Sequence, residues 1–431
     1  MNTISRRNLI ATGMAAAAVL PAAGAAASKL PARPQRSPEQ LASDESYWQQ
    51  VAAQYDITRD VIQLENGNWG SMSRPVLAAY ERHQQKVNRE NSYYARRGYN
   101  DDHAAVRARI AKSLGASVEE IVLTRNATEA LQALIGGYNL LRPGDAVLYA
   151  DLDYDAMQMG MKWLAARRGV EVVNMAVPEP ATHQLIIDAY AAALKNNPRI
   201  RLMLLTHLSH RTGLLMPVKD LVALARQYKV DVILDSAHAW GQVDFQLDHL
   251  GADFVGLNAH KWIGAPVGVG VMYIRRSRIA DIDPFMGDTS FPADDIRARM
   301  HSGTSNFAAF LAASDALDFH EAIGTPAKEA RLRHLRDLWA EALRNHEEWE
   351  ILTPKDRRLY AGITSFRRRG RSATKDNIEL ARRLLEEAKI FTVHRAGLAS
   401  GACVRVTPSV FTSAGDIAQL LKVLTGPAKR W

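Results

Sequence analysis

Two hydrophobic rhythms alternate along most of this chain. From about Val106 onward, short runs rich in Val, Ile and Leu are separated by longer stretches whose apolar residues recur three and four positions apart. The short runs predict strands at 121–124, 146–150, 170–177, 201–206, 230–235, 254–257 and 268–274. The longer stretches predict helices between most of them, at 128–138, 155–166, 186–194 and 218–228. Such alternation belongs to an α/β fold with a large, mainly parallel seven-stranded sheet covered on both faces. A long amphipathic helical stretch at 307–343 follows, and strands at 362–367, 390–393 and 403–407 with helices at 377–388 and 413–424 predict a smaller α+β domain at the C-terminus. Ahead of the alternation, Ser37-Pro38-Glu39-Gln40 supplies a cap, a first-turn proline and a capping-box glutamine, so a helix starts there. The implied organisation is a leader over 1–27, an N-terminal arm and linker over 28–70, a large domain over 71–310 and a small domain over 311–431.

Composition narrows the class. Hydrophobic residues make up 47% and charged residues 23%, which suits a globular protein with a sizeable core and excludes disordered, collagenous and low-complexity chains. The formal net charge is +8, of which Arg6 and Arg7 supply two, and the remaining +6 is too small and dispersed for a nucleic-acid footprint. Cys403 is the only cysteine, so no intramolecular disulfide and no cysteine-built metal site can form. His346-Glu347-Glu348-Trp349-Glu350 ends in a glutamate where a helical zinc motif needs a second histidine, and no metal is expected. At the start of the chain, Ser5-Arg6-Arg7-Asn8-Leu9-Ile10 precedes an alanine-rich run broken by Gly13, Pro21 and Gly24, with Ala25-Ala26-Ala27 before Ser28. This is the pattern of a cleaved twin-arginine signal, and the run is too short and interrupted for a stable membrane anchor. It implies export of the folded protein by the twin-arginine machinery to the periplasm, where a large core needs no disulfides.

Candidate chemistry gathers at the carboxyl ends of the predicted strands, where open α/β sheets hold their ligands. Asp235-Ser236-Ala237-His238 closes one strand, and the next runs into Asn258-Ala259-His260-Lys261-Trp262. A lysine just past a buried strand needs a partner or a task for its amine. The pair Lys261 and Asp235 suits pyridoxal 5'-phosphate: the amine forms a Schiff base with the aldehyde, and the carboxylate keeps the pyridine nitrogen protonated so that the ring draws electrons. A phosphate cradle is then expected where a strand runs into a helix, at Thr124-Arg125-Asn126-Ala127-Thr128-Glu129, although Asn126 also reads simply as the helix cap. Tyr154, in Asp153-Tyr154-Asp155-Ala156, is placed to cover a cofactor face, or else to serve as a core aromatic. Gly268-Val269-Gly270 precedes a strand and lacks a third glycine, so it is not a dinucleotide loop. Arg367-Arg368-Arg369-Gly370-Arg371 reads as a solvated turn with the capacity to guide an anionic substrate.

Together with Thr206-His207-Leu208-Ser209-His210-Arg211-Thr212-Gly213 and Gly303-Thr304, these motifs resemble the class V aminotransferase family over roughly residues 60–425. Leu64-Glu65-Asn66-Gly67-Asn68-Trp69-Gly70 and Asp151-Leu152-Asp153-Tyr154-Asp155-Ala156-Met157 resemble its isopenicillin N epimerase-like branch. The resemblance implies a homodimeric enzyme of fold type I with pyridoxal phosphate linked to Lys261 and Asp235 on the pyridine nitrogen. It further implies Asn126, Ala127 and Thr128 at the phosphate, Tyr154 on the ring, His238 and His260 beside the cofactor, and Thr304 reaching the phosphate held by the partner subunit. Asn68 and Arg405 fall on the substrate side, with Arg405 taking the substrate carboxylate through its planar fork; on the residues alone, Arg405 also reads as a strand-face salt-bridge partner and His238 as a hydrogen-bonded group behind the site. His210 stands where the family has Asn or a small residue near the cofactor's phenolic oxygen.

The reaction is set by how a substrate with a free amine and a carboxylate lies against the cofactor, which side-chain identity alone does not define. Desulfurases of this family carry sulfur on a mobile-loop cysteine, whereas Cys403 sits two residues from Arg405 in a predicted buried strand, which argues against desulfuration. Export points to tailoring of a secreted, peptide-like molecule. The combination resembles periplasmic enzymes that mature pyoverdine siderophores by modifying a glutamyl side chain. An epimerase, racemase or aminotransferase is the alternative chemistry. A non-catalytic binding protein is the alternative of another class, and the joint presence of Lys261 and Asp235 argues against it.

Overall fold

Residues 32–426 are described by a computed structural model of the chain; the expected leader, residues 1–27, lies outside them. The large sheet contains β1 (Ile121–Thr124), β2 (Ala146–Ala150), β3 (Glu171–Met175), β4 (Ile200–Thr206), β5 (Asp231–Ser236), β6 (Phe254–Asn258) and β7 (Gly270–Ile274). Six of these are runs of almost wholly buried side chains, as strands covered on both faces require; β3, at an edge, is largely half-exposed. Their order is β1-β7-β6-β5-β4-β2-β3, with β7 antiparallel to both neighbours and the other pairs parallel. The expected mainly parallel, seven-stranded sheet is therefore present.

Ten helices of ten or more residues surround the sheets among the described residues: α1 (Arg74–Arg97), α2 (Tyr99–Leu114), α3 (Ala127–Gly137), α4 (Asp155–Arg168), α5 (His183–Asn196), α6 (Val218–Gln227), α7 (Phe307–Ile323), α8 (Thr325–Leu343), α9 (Thr374–Ala388) and α10 (Ala414–Leu424). The stretch at 307–343 is thus two helices. Gly324 ends the first, and Pro326, in the opening turn of α8, begins the second. α1 went unpredicted because only Val76, Ala79 and Tyr94 of its length are buried, which leaves little apolar period to read. The helix predicted at Ser37 is present, capping box included. No helix among the described residues is long and apolar enough to cross a membrane.

The C-terminal sheet joins β8 (Trp349–Ile351), β9 (Thr364–Arg368), β10 (Val393–Arg395) and β11 (Cys403–Val406) in the antiparallel order β10-β11-β9-β8. Its core combines Leu335 and Trp339 of α8 with Trp349, Phe366, Val404 and Leu420. Arg369, Gly370 and Arg371 form the exposed turn expected of the arginine run, but Arg367 is not part of it. It is buried on β9, with Nε donating to Glu350 at 2.8 Å and Nη2 to Glu179 at 3.0 Å, so it is not free to steer a substrate. Ile62–Gln63 pairs in parallel with Ile390–Phe391, and Glu65 bridges to Thr407. The chain then leaves the small sheet at Gly67 and reaches the lysine loop at Gly70. This crossing brings the N-terminal arm, the small domain and the end of β6 to one place.

Candidate active site

A cavity of about 650 Å³ opens at the carboxyl ends of the parallel strands and is closed on one side by the small domain. Every predicted site residue lines it except Thr304: Asn68, Asn126, Ala127, Thr128, Tyr154, His210, Asp235, His238, His260, Lys261 and Arg405 meet there. Thr304 is exposed on the loop before α7, away from this cavity.

β5 delivers Asp235, which is 5% exposed. Burial raises its carboxyl above the usual range, offset by the Ala237 N–H at 2.9 Å and the charge of Lys261. β6 delivers Lys261 through a turn whose backbone is gripped from both sides. The Gly70 N–H donates to the His260 carbonyl at 2.8 Å, and a Cβ at Gly70 would lie 1.9 Å from the Lys261 carbonyl oxygen, so no larger residue fits that approach. From the other side Lys328 Nζ donates to the Trp262 carbonyl. The Lys261 amine is pushed down to about 7, by burial first and then by the Arg405 charge. Attachment to an aldehyde needs the neutral amine. Its rate, followed by stopped-flow absorbance on cofactor-free protein, is therefore expected to rise with pH through about 7 and level off above it, whereas an ordinary surface lysine would keep climbing toward its own value near 10.4.

Two histidines that line the cavity are held in the neutral form. His238 Nε2 lies 2.9 Å from Lys261 Nζ, and its Nδ1 accepts from the Trp262 indole at 3.4 Å; burial, then the charge of Lys261, holds it well below its ordinary value. Since the indole only donates, neutral His238 carries its proton on Nε2 and points it at the amine. His260 is held by the Val269 carbonyl at 3.0 Å from Nδ1, and burial lowers it to about 4. Tyr154 caps α4 with 40% of its surface exposed, so it is not a core aromatic. It meets the ring of His210 edge-on, centroids 5.2 Å apart. His210 is itself buried and held neutral by burial and then by Arg211.

The helix start of α3 departs in detail from expectation. Asn258 Oδ1 accepts the Ala127 N–H at 2.8 Å, and Asn126 Oδ1 accepts the Glu129 N–H at 2.8 Å, so these two donors are taken. Thr128 keeps its N–H without an acceptor among the described residues, and the Asn258 amide nitrogen becomes a second donor at the same spot. Asn258 was quoted in the lysine motif without a role; its position one turn of loop before Lys261 was the available signal. Glu65 was missed in the same way. It accepts from Arg405 Nη2 at 2.6 and 2.8 Å, a buried pair across the arm and the small domain. Of the two readings of Arg405, the salt-bridge partner is the one present here.

A buried carboxylate, a depressed amine, neutral histidines, an exposed aromatic ring and open donors at a helix start fit one phosphorylated aromatic aldehyde. Asp235 would meet the ring nitrogen, Lys261 the aldehyde carbon, and Thr128 with Asn258 the phosphate. Such a fold and site define a pyridoxal-phosphate-dependent enzyme of fold type I. Residues 73–409 match the aminotransferase class-V family. The isopenicillin N epimerase of Streptomyces clavuligerus is 25% identical over 401 residues, covering 88% of this chain and 98% of its own. Among solved structures, the apo cysteine desulfurase of Thermococcus onnurineus NA1 superposes with a TM-score of 0.74 at 21% identity, over 91% of this chain and 98% of its own. A C-DES variant with glycine covalently linked to its pyridoxal-phosphate cofactor does so at 0.73 and 20% identity, over 86% and 98%. The chain belongs to the aminotransferase class-V family.

Proposed function

We propose that this enzyme is exported and acts at the amine-bearing carbon of a peptide-linked amino acid, tailoring the glutamyl side chain of a pyoverdine-type siderophore precursor toward a succinamide, with the α-carboxyl carbon leaving as carbon dioxide and dioxygen accepting the four electrons released. The observation that carries the chemistry is the meeting of Lys261 and Asp235 in one cavity. What supports the location is the paired-arginine leader at Arg6-Arg7, and with it a secreted substrate. Bound pyridoxal phosphate supplies an electron-withdrawing ring that weakens the bonds at the substrate's Cα. Asp235 favours the protonated ring nitrogen because its buried charge gains a further partner beside the Ala237 N–H and the Lys261 charge. Lys261, which loses its proton near pH 7 and is oriented by His238, is placed to move a proton at Cα. Tyr154 shields the outer face, and Thr304 of each subunit serves the partner's site in a homodimer.

Persulfide chemistry does not suit this chain. Cys403 is fully buried on β11, and burial pushes its thiol up to about 12, so it offers almost no thiolate. Its thiol is accordingly expected to stay silent toward a chromogenic disulfide reagent in the folded protein and to react once the protein is unfolded in guanidinium. Fast labelling of the native state would reopen the desulfurase route. The substrate assignment is tested by incubating purified holoenzyme with siderophore precursors bearing a glutamyl side chain and following their masses. Loss of carbon with the nitrogen retained supports it. A keto product points to transamination, unchanged mass with inverted chirality to epimerisation, and unaltered precursors refute it.

A further inference from the structure

Three successive residues beyond β2 are each gripped by the end of β4 or the loop that follows it. Asp153 Oδ1 accepts the Thr206 hydroxyl at 2.7 Å, the Tyr154 ring meets the His210 ring edge-on, and Asp155 Oδ1 accepts from Arg211 Nη2 at 2.5 Å. The last two contacts fall on the start of α4, which its own sequence holds poorly. Tyr154 stands at the cap position and its side chain makes no capping bond, whereas Ser, Thr, Asp or Asn there would accept a first-turn N–H.

Arg211 comes to that helix start from the interior. Its side chain is fully buried, while that of Asp155 is largely exposed. Its Nη1 donates to the carbonyl of Ala396, in the segment that leaves β10 after Arg395 and runs along the rim of the cavity. A side chain on Gly397 would run into the guanidinium, so this segment is shaped around it. The Arg211 carbonyl in turn accepts the Ser365 hydroxyl at 2.5 Å, on β9. One residue thus joins the small sheet, the cavity rim and the first turn of α4. An acid in a first helical turn is favoured by the helix dipole alone, but that does not account for a buried cation brought to meet it. Burying a guanidinium against a surface carboxylate adds little stability; what it does is fix position. His210 adds no charge to the clamp: it faces Arg211, Arg405, Arg395 and Lys261, and packs on Tyr154 as a neutral ring.

We propose that Arg211 is a positioning residue, which with His210 clamps the start of α4 so that the Tyr154 ring stays over the cofactor face, and which ties that placement to the small domain through Ala396. This rests on the reading of the cavity as a pyridoxal-phosphate site and adds how this chain holds its ring-covering residue without a helix cap.

The test is a double-mutant cycle between Arg211→Met and Tyr154→Ala, read as the dissociation constant of pyridoxal phosphate titrated into cofactor-free protein and as visible circular dichroism of the loaded forms. Methionine removes the buried charge, and the two partners it releases, Asp155 and the Ala396 carbonyl, belong to exposed residues that regain water. Arg211→Met is expected to weaken binding about 10-fold and to reduce the visible dichroism, with the far-ultraviolet spectrum unchanged. In the Tyr154→Ala background the same substitution is expected to cost less than about twofold, because nothing is left to position. A merely structural role would cost the same in both backgrounds. Should Arg211→Met not fold, Asp155→Asn, at an exposed side chain, takes its place in the cycle with a smaller effect in the same direction. The proposal is overturned if the substitution binds cofactor like wild type, if its cost is equal in the two backgrounds, or if Tyr154→Ala alone changes nothing. Failure of the underlying cofactor reading shows separately, as wild type without lysine-linked cofactor absorbance.

Discussion

Replacing Lys261 with alanine is expected to abolish covalent retention of the cofactor and to lower turnover by about a thousandfold or more. The size follows from the two tasks the amine performs, holding the aldehyde carbon and moving the proton at the substrate's Cα. No neighbour can assume them: the nearest nitrogen, His238 Nε2 at 2.9 Å, belongs to an imidazole whose lone pair at Nδ1 is turned to Trp262. The fold is expected to survive, because the turn is held through the backbone carbonyls of His260 and Trp262 rather than through the Lys261 side chain. The loss should therefore appear as a colourless, well-folded protein. Absorbance after gel filtration, with circular dichroism as the control, checks both halves, and a Lys261→Ala protein that keeps its colour through borohydride treatment and gel filtration would count against the assignment.

Asp235→Asn is expected to act in opposite directions on activity and on stability. Without a carboxylate at the ring nitrogen, the electron demand at Cα falls, and turnover drops by about two to four orders of magnitude while the cofactor stays attached through Lys261. The cofactor-free protein, in contrast, loses a buried acid whose ionised form burial disfavours. Because the folded-state value of Asp235 is raised, the wild-type stability attributable to it is fully present below the ordinary carboxylate value near 3.9 and is lost as pH rises through the raised one. The asparagine variant does not carry that loss. Its cofactor-free form should therefore melt higher than wild type, with the gap widest at neutral and alkaline pH and vanishing in acid. Thermal melts of the two cofactor-free proteins across pH, beside steady-state rates of the loaded enzymes, measure the two effects independently.

How much of this was legible in the chain follows from which interactions are local. Strands β1, β2 and β4 to β7 are short, mostly apolar and buried runs, so their existence could be read directly, as could the polar residues at or just past the ends of β5 and β6, Asp235 and Lys261 above all. The Asn126 cap and the Tyr154 turn were readable because each lies within a few residues of the strand that positions it. Pairings between distant segments were not. Glu65 meets Arg405 across 340 positions, and Asn258 reaches Ala127 across 131, which no periodicity encodes. Arg395 sits on a strand of only three residues, too short to announce a face. Lys328, inside a helix rich in Arg and Glu, looks like an ordinary surface residue until packing buries it against the Trp262 carbonyl.

That buried lysine makes the decisive measurement a discriminating one. Burial lowers Lys328 as well to about 7, so the described residues hold two amines primed for an aldehyde, and of the two Lys261 opens on the cavity with Asp235. Reducing the loaded protein with borohydride and mapping the pyridoxyl group by peptide mass spectrometry tells them apart. The account predicts one modified site, Lys261, in wild type, with no transfer elsewhere in Lys261→Ala; a pyridoxyl group on Lys328 or another lysine, or on none, would contradict it.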